Sequence, residues 1–257
     1  MNYQKIASQL HEAQKKARQI APIIKMEPEL TIEDAYKIQL AGLDLKKAEG
    51  RKVIGMKIGL TSKAMQNMLG VNEPDYGHLT DDMMLHPGQA CQVRTLIQPK
   101  IEGELAFCLK KPLKGPGVTM ADVYNATAFI APALEIVDSR IQDWKISLAD
   151  TIADNGSSAA LVLGGVMKPA DQVDLRLVGM ILEKNGELVN SGCGAEVLGH
   201  PAASVAWLAN KLAEFGLGLE EGHIILSGAV TAALPVQAGD SFTASFTGLG
   251  SVGVRFV

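Results

Sequence analysis

Lys100-Ile101-Glu102-Gly103-Glu104-Leu105-Ala106-Phe107-Cys108-Leu109 is the stretch on which the reading of this chain turns. Its alternation fits a β-strand, which puts Glu102 and Glu104 on one face, roughly 7 Å apart. Ala106 and Cys108 continue that face, while Leu105, Phe107 and Leu109 make up the other. Beyond the glutamates both faces are apolar, so the acidic pair belongs at the mouth of an interior. Two bare carboxylates there would repel one another and resist desolvation. A hard divalent cation answers both problems. Taken alone, Glu-x-Glu is more often a solvated edge strand, so its surroundings must decide.

The next run, Phe129-Ile-Ala-Pro-Ala-Leu-Glu-Ile-Val-Asp138, holds Glu135 as an isolated carboxylate among apolar residues. A charge in that setting must be paired or must ligate something. The plainer choice of partner is Arg140. The richer one is an all-oxygen site made of Glu102, Glu104 and Glu135, suited to Mg²⁺ or Mn²⁺ with positions left for water and substrate. No His/Cys cluster offers a zinc site in competition.

Four further residues draw notice. Lys57 lies in Val53-Ile-Gly-Met-Lys-Ile-Gly59, where its ammonium is partly buried and needs an anion, unless it snorkels outward. Asp75, in Pro74-Asp-Tyr-Gly77, suits a β-turn, or a group that directs water. Ser157 follows Asp154-Asn155-Gly156, a turn whose amides and hydroxyl suit a carboxylate. His200, just before Pro201, reads as a helix cap.

Outward from these motifs, helical spacing runs over residues 4–20, and Thr31 with Asp34 announces a second helix ending at Gly50. A strand over 52–59 precedes a short helix from Ser62 to Leu69, and a third clear helix opens at Pro201 and stops at Gly216. Strand-like runs cover 100–110, 127–138, 158–164, 175–190, 222–228 and 240–256, with turn signals at 184–186 and 238–240. Their spacing excludes a doubly wound sheet. The fold expected is α+β, with an N-terminal helical portion (1–70) packed on a β-rich metal-binding body (71–257).

The 257 residues are 47% hydrophobic, enough for one large core or two small ones. A net charge of -4 argues against nucleic acid as a partner. No apolar run reaches the roughly 20 residues that cross a bilayer. The first residues carry charges where a signal peptide needs an apolar core, and Cys91, Cys108 and Cys193 are scattered. These features fit reduced thiols in a cytoplasmic protein.

Lys57-Ile-Gly-Leu-Thr-Ser-Lys, Pro74-Asp-Tyr-Gly, Ile101-Glu-Gly-Glu, Ala133-Leu-Glu-Ile-Val-Asp-Ser-Arg and Ala153-Asp-Asn-Gly-Ser follow one another in a familiar order. With Leu198-Gly-His-Pro, Trp207-Leu-Ala-Asn and Gly248-Leu-Gly-Ser-Val, they resemble the hydratase/decarboxylase branch of the fumarylacetoacetate hydrolase superfamily. The resemblance covers nearly the whole chain. It implies a mixed β-roll, or β-clam, and one divalent cation on Glu102, Glu104 and Glu135. Hydrolase members usually supply aspartate at the third position, so Glu135 points to the lyase branch.

Within that branch, Pro74-Asp75-Tyr76-Gly77 and Arg140-Ile-Gln-Asp-Trp-Lys145 resemble the hydratases, whereas Gly228-Ala-Val-Thr-Ala-Ala-Leu234 is nearer the decarboxylases. Gly156-Ser157-Ser158 departs from the Ala-Ser-Cys of simple hydratases. The resemblance implies hydration of 2-hydroxypenta-2,4-dienoate, a small 2-oxo acid in enol form, as in meta-cleavage of aromatic compounds. Asp75 and Lys57 would be the catalytic pair, and Lys57 and Ser157 the substrate contacts. Decarboxylation of 2-oxo-3-hexenedioate and non-catalytic binding of a small acid are the competing readings. The resemblance also implies a homo-oligomer, pentamer or decamer, and leaves room for a complex with a sister decarboxylase.

Overall fold

The computed structural model describes residues 1–86 and 88–257. Helices α1 (Tyr3–Lys15), α2 (Ile23–Met26) and α3 (Ile32–Ala48) lead into β1 (Val53–Gly59), α4 (Lys63–Leu69) and β2 (Asp75–Thr80). Then come β3 (Lys100–Leu109), α5 (Met120–Ala126), β4 (Thr127–Val137), α6 (Leu148–Ala153) and β5 (Ser158–Leu163). Strands β6 (Gly179–Lys184) and β7 (Glu187–Cys193) form a hairpin ahead of α7 (Pro201–Ala213) and β8 (Ile224–Ala229). The short β9 (Leu234–Pro235) and the hairpin β10 (Ser241–Phe246)–β11 (Gly250–Arg255) complete the chain.

Local chemistry accounts for the expected elements. Thr31 and Asp34 exchange hydrogen bonds in a capping box at the start of α3. Ser62 caps α4, and Gly70 ends it in the left-handed conformation. Pro201 begins α7, whose first free amides are met by the His200 side chain accepting from Ala202 N. The first helix stops at Lys15, short of the expected residue 20. Ala17 adopts φ +46°, and Ile20 bridges to Ile141 instead.

Two sheets carry the body. The larger runs in the order β2-β1-β8-β3-β4-β5, with β9 also on β3, and the smaller runs β11-β10-β6-β7. Among the paired strands of the described residues only β1 and β8 are parallel, so this is a mixed sheet in an α+β fold. The division expected at residue 70 runs through the larger sheet, because β1 lies before it and pairs with β2 and β8 beyond it. Helix α3 meets this sheet through Tyr36 stacked on Tyr76, and α1 packs on α3.

The large sheet curls into a half-barrel. Asn155, just before β5, donates to His78 O (2.9 Å) and accepts from His78 N (2.7 Å), tying the β5 end back to β2. Inside, Leu79, Met83, Ala106, Ala131, Ala133, Leu161 and Leu226 form a sealed apolar floor. Outside, Ile58, Leu105, Phe107 and Ile136 share the main core with helix residues such as Tyr36 and small-sheet residues such as Phe242. The strand directions bring the ends of β1, β4 and β8 and the starts of β2, β3 and β5 to one rim.

Candidate metal centre

Register decides what meets at that rim. Glu102 and Glu135 are direct cross-strand partners, and Glu104 sits opposite Ala133 on one side and Ala229 on the other. One carboxylate oxygen from each of Glu102, Glu104 and Glu135 lies within 4.8 Å of the others. Like charges opposed across a ladder are unfavourable. Here Glu104 and Glu135 are fully buried as well. Glu104 Oε2 accepts from Gly228 N at 2.8 Å, and Glu135 Oε1 accepts from Ser158 Oγ at 2.6 Å. The remaining oxygens, Glu104 Oε1 and Glu135 Oε2, are buried without a hydrogen-bond donor.

Burial, reinforced by neighbouring carboxylates, raises all three carboxyls above their ordinary range, that of Glu102 to about 7 and that of Glu104 well above the usual value. Buried carboxylate oxygens converging from two strands, with no soft ligand among them, fit a hard divalent cation. Glu102, Glu104 and Glu135 are the residues that can hold one.

Lys57 enters from β1. Its Nζ lies 3.3 Å from Glu135 Oε2 and donates to Gly156 O at 3.1 Å. Burial alone would lower its pKa, but the charges of Glu135, Asp75, Glu102 and Glu104 outweigh that and hold it above the usual lysine value. Arg140, the plainer partner for Glu135, is committed elsewhere. Its guanidinium pairs with Asp154, also buried.

Asp75 is the first residue of β2, opposite Gly59, and is buried, where the Pro-Asp-Tyr-Gly pattern also allowed a surface turn. Its Oδ1 has no hydrogen-bond partner. A Cβ on Gly59 would stand 2.1 Å from Asp75 Oδ1 and 3.3 Å from Lys57 Nζ, so only glycine leaves room for these two groups to share that corner. Burial raises the Asp75 carboxyl, and the charge of Lys57 partly offsets the rise.

The site therefore gathers Glu102, Glu104, Glu135, Lys57 and Asp75. The Ser157 hydroxyl turns away, donating to Asp154 Oδ2 at 3.2 Å. Ser158 and the Gly156 carbonyl, which touch Glu135 and Lys57, were not singled out by sequence, because which of two adjacent serines faces the barrel depends on the turn before β5. A separate cavity, lined by His11, Gln39, Lys46, His78 and Arg140 among others, lies between the N-terminal helices and the outer face of β2. It includes none of the three glutamates, and the chemistry is better placed at the rim, where buried charges converge.

The family model described as fumarylacetoacetate (FAA) hydrolase C-terminal matches residues 59–257. The chain belongs to the fumarylacetoacetate hydrolase family. It is 49% identical over 249 residues to a 2-hydroxyhexa-2,4-dienoate hydratase of Comamonas testosteroni, covering 96% of this chain and 94% of that one. It is 50% identical over 213 residues to a 2-hydroxypent-2,4-dienoate hydratase of Pseudomonas putida, covering 82% and 96%. Among solved structures, a 4-oxalocrotonate decarboxylase from Pseudomonas putida G7, complexed with magnesium and adipate, superimposes with a TM-score of 0.97 at 42% identity, covering 99% and 97%. Hydratases and decarboxylases are lyases, and this family member is an enzyme of that type. Among the described residues no helix is long and apolar enough to cross a membrane.

Proposed function

We propose that this chain adds water to 2-hydroxypenta-2,4-dienoate or a close homologue, giving a 4-hydroxy-2-oxo acid, with Mg²⁺ or Mn²⁺ held by Glu102, Glu104 and Glu135. The observation that carries the reading is Asp75, a buried carboxylate with an unpartnered oxygen, crowded against Lys57 at the same rim as the three glutamates. The kinship with hydratases at 49% and 50% identity supports it.

A bound cation supplies Lewis-acid stabilisation of negative charge on the substrate's C2 oxygen. Lys57 adds a fixed positive charge beside Glu135 and pairs with the anionic end of the substrate. The substrate first ketonises, losing its enol proton and gaining one at C5, which leaves C4 electrophilic. Asp75 takes a proton from water as the water oxygen bonds to C4, and C3 gains a proton to complete the addition. A buried carboxyl with a raised pKa is a better base for this step than a solvated one. The apolar floor keeps bulk water from the opposite side. Loss of CO₂ needs no attacking water, so Asp75 separates this reading from decarboxylation.

Ultraviolet loss of the five-carbon dienol, with products identified by NMR, is the direct test. Turnover that needs Mg²⁺ or Mn²⁺, stops in EDTA and yields 4-hydroxy-2-oxopentanoate is expected. CO₂ release from 2-oxo-3-hexenedioate without hydration would replace the proposal with a decarboxylase, and binding without turnover would replace it with a small-acid binding protein. The chain is also proposed to act as a homo-oligomer, a pentamer or decamer. Exposed Leu177, Ile181, Leu188 and Val189, on or beside the β6–β7 hairpin, support self-association. Light scattering with and without a sister decarboxylase tests both assemblies.

A further inference from the structure

The turn between α6 and β5 is built at some conformational cost. Asn155, Gly156 and Ser157 follow one another at φ +58°, +59° and +54°, and for the two that are not glycine this backbone is unfavourable. Surrounding bonds hold it. Asp154 Oδ2 accepts from Arg140 N (3.0 Å), Ser139 Oγ (3.2 Å) and Ser157 Oγ (3.2 Å). The Arg140 guanidinium donates to Asp154 through Nε and Nη2, and its Nη1 donates to Asp138 O (2.9 Å) and Ser158 O (3.1 Å). From the other side Asn155 is tied to β2, as described above. A buried arginine thus staples the end of β4 to both ends of the turn.

The turn delivers two groups to the rim. One is the Gly156 carbonyl on Lys57, and the other is the Ser158 hydroxyl on Glu135 Oε1. A glutamate carboxylate rotates freely about its last bond unless something holds one oxygen. With Oε1 held at 2.6 Å, Glu135 Oε2 is left beside Lys57, at 3.3 Å.

We propose that Ser158 is a positioning residue that sets the Glu135 carboxylate for cation binding, and that the Arg140–Asp154 pair holds the turn that presents it. This rests on the reading of Glu135 as a ligand. Mn²⁺ titration of the metal-free protein, followed by electron paramagnetic resonance, tests it. Ser158→Ala is expected to bind Mn²⁺ roughly 10–100-fold more weakly than the wild type, the usual cost of losing a group that orients a ligand. Its thermal unfolding without metal should match the wild type. Ser158→Cys, which keeps a weak donor, should fall between the two, a graded rescue that a purely structural role does not give. Arg140→Lys keeps the charge and loses the fork, and should weaken binding in the same direction, so the test survives a Ser158 variant that fails to fold.

A wild-type protein that takes up Mn²⁺, beside a folded Ser158→Ala protein that takes it up as tightly, overturns the inference and leaves the cation reading intact. A wild-type protein that takes up none overturns both.

Discussion

The rim and the floor of the half-barrel are made by the same strands, yet they obey opposite rules. On β3 the inward positions pass from Glu102 and Glu104 to Ala106, and on β4 from Glu135 to Ala133 and Ala131. Two residues along the pleat replace crowded carboxylates with apolar contacts. The floor stabilises the fold by removing carbon from water, whereas the rim works against the fold until positive charge beyond that of Lys57 enters. Stability and chemistry are therefore separated along the strand axis, and each end can be perturbed with little effect on the other.

The sharpest break of that separation is Asp75→Asn. It should lower hydration about 10²–10⁴-fold, the range for loss of a positioned base, with Mn²⁺ affinity nearly unchanged. Calorimetric metal binding beside steady-state kinetics reads both, and a matching loss of metal affinity would move Asp75 into the ligand set. Glu104→Gln comes next. Metal affinity should fall by more than the roughly 100-fold typical of an outer partner, while the metal-free protein unfolds at the same or a higher temperature. Lower stability without metal would mean that the rim carboxylates help the fold.

At the floor, Leu161→Ala should cost about 2–5 kcal/mol in urea unfolding and leave metal affinity at the rim as it was. A parallel fall in metal affinity would show that the two ends are coupled. The smallest effect lies on the outer face of β2. Burial lowers His78 to about 4 from its ordinary 6.5, so the folded state disfavours its proton. Its stabilising contribution is complete above pH 6.5 and is lost as pH falls toward 4, by at most about 1.4 kcal/mol per pH unit. His78→Gln should flatten that part of a stability–pH curve, and an unchanged slope would remove His78 as the cause.

Much of this was legible because charge is so poorly tolerated inside a sheet. Glu102, Glu104, Glu135 and Lys57 stand out against apolar runs, and strand alternation alone puts the first two on one face. Asp75 was harder to place, since Pro74-Asp-Tyr-Gly77 satisfies a turn as well as it satisfies the start of β2, and only pairing with β1 decides between them. Helices α5 and α6 went unread although each carries its own signal, with Thr119 and Asp122, and Ser147 and Asp150, forming capping boxes like the one recognised at Thr31. They are short, and neither shows a long apolar stripe. The runs 175–190 and 240–256 each resolve into a hairpin, one turning at Asn185-Gly186, where both residues have positive φ. Ser158 could not be chosen over Ser157 without the left-handed turn before it.

The parallel pairing of β1 with β8 has a consequence for biosynthesis. Lys57 is brought alongside Leu226, so within the sheet the wall carrying this lysine meets β3 through a strand synthesised well after both. A nascent chain halted before residue 224 would already contain the glutamates, Lys57 and Asp75, yet would lack the strand that sets them facing one another. Nascent chains that stop short of β8 should therefore be inert, and reactivity should appear only after that strand has joined β1 to β3.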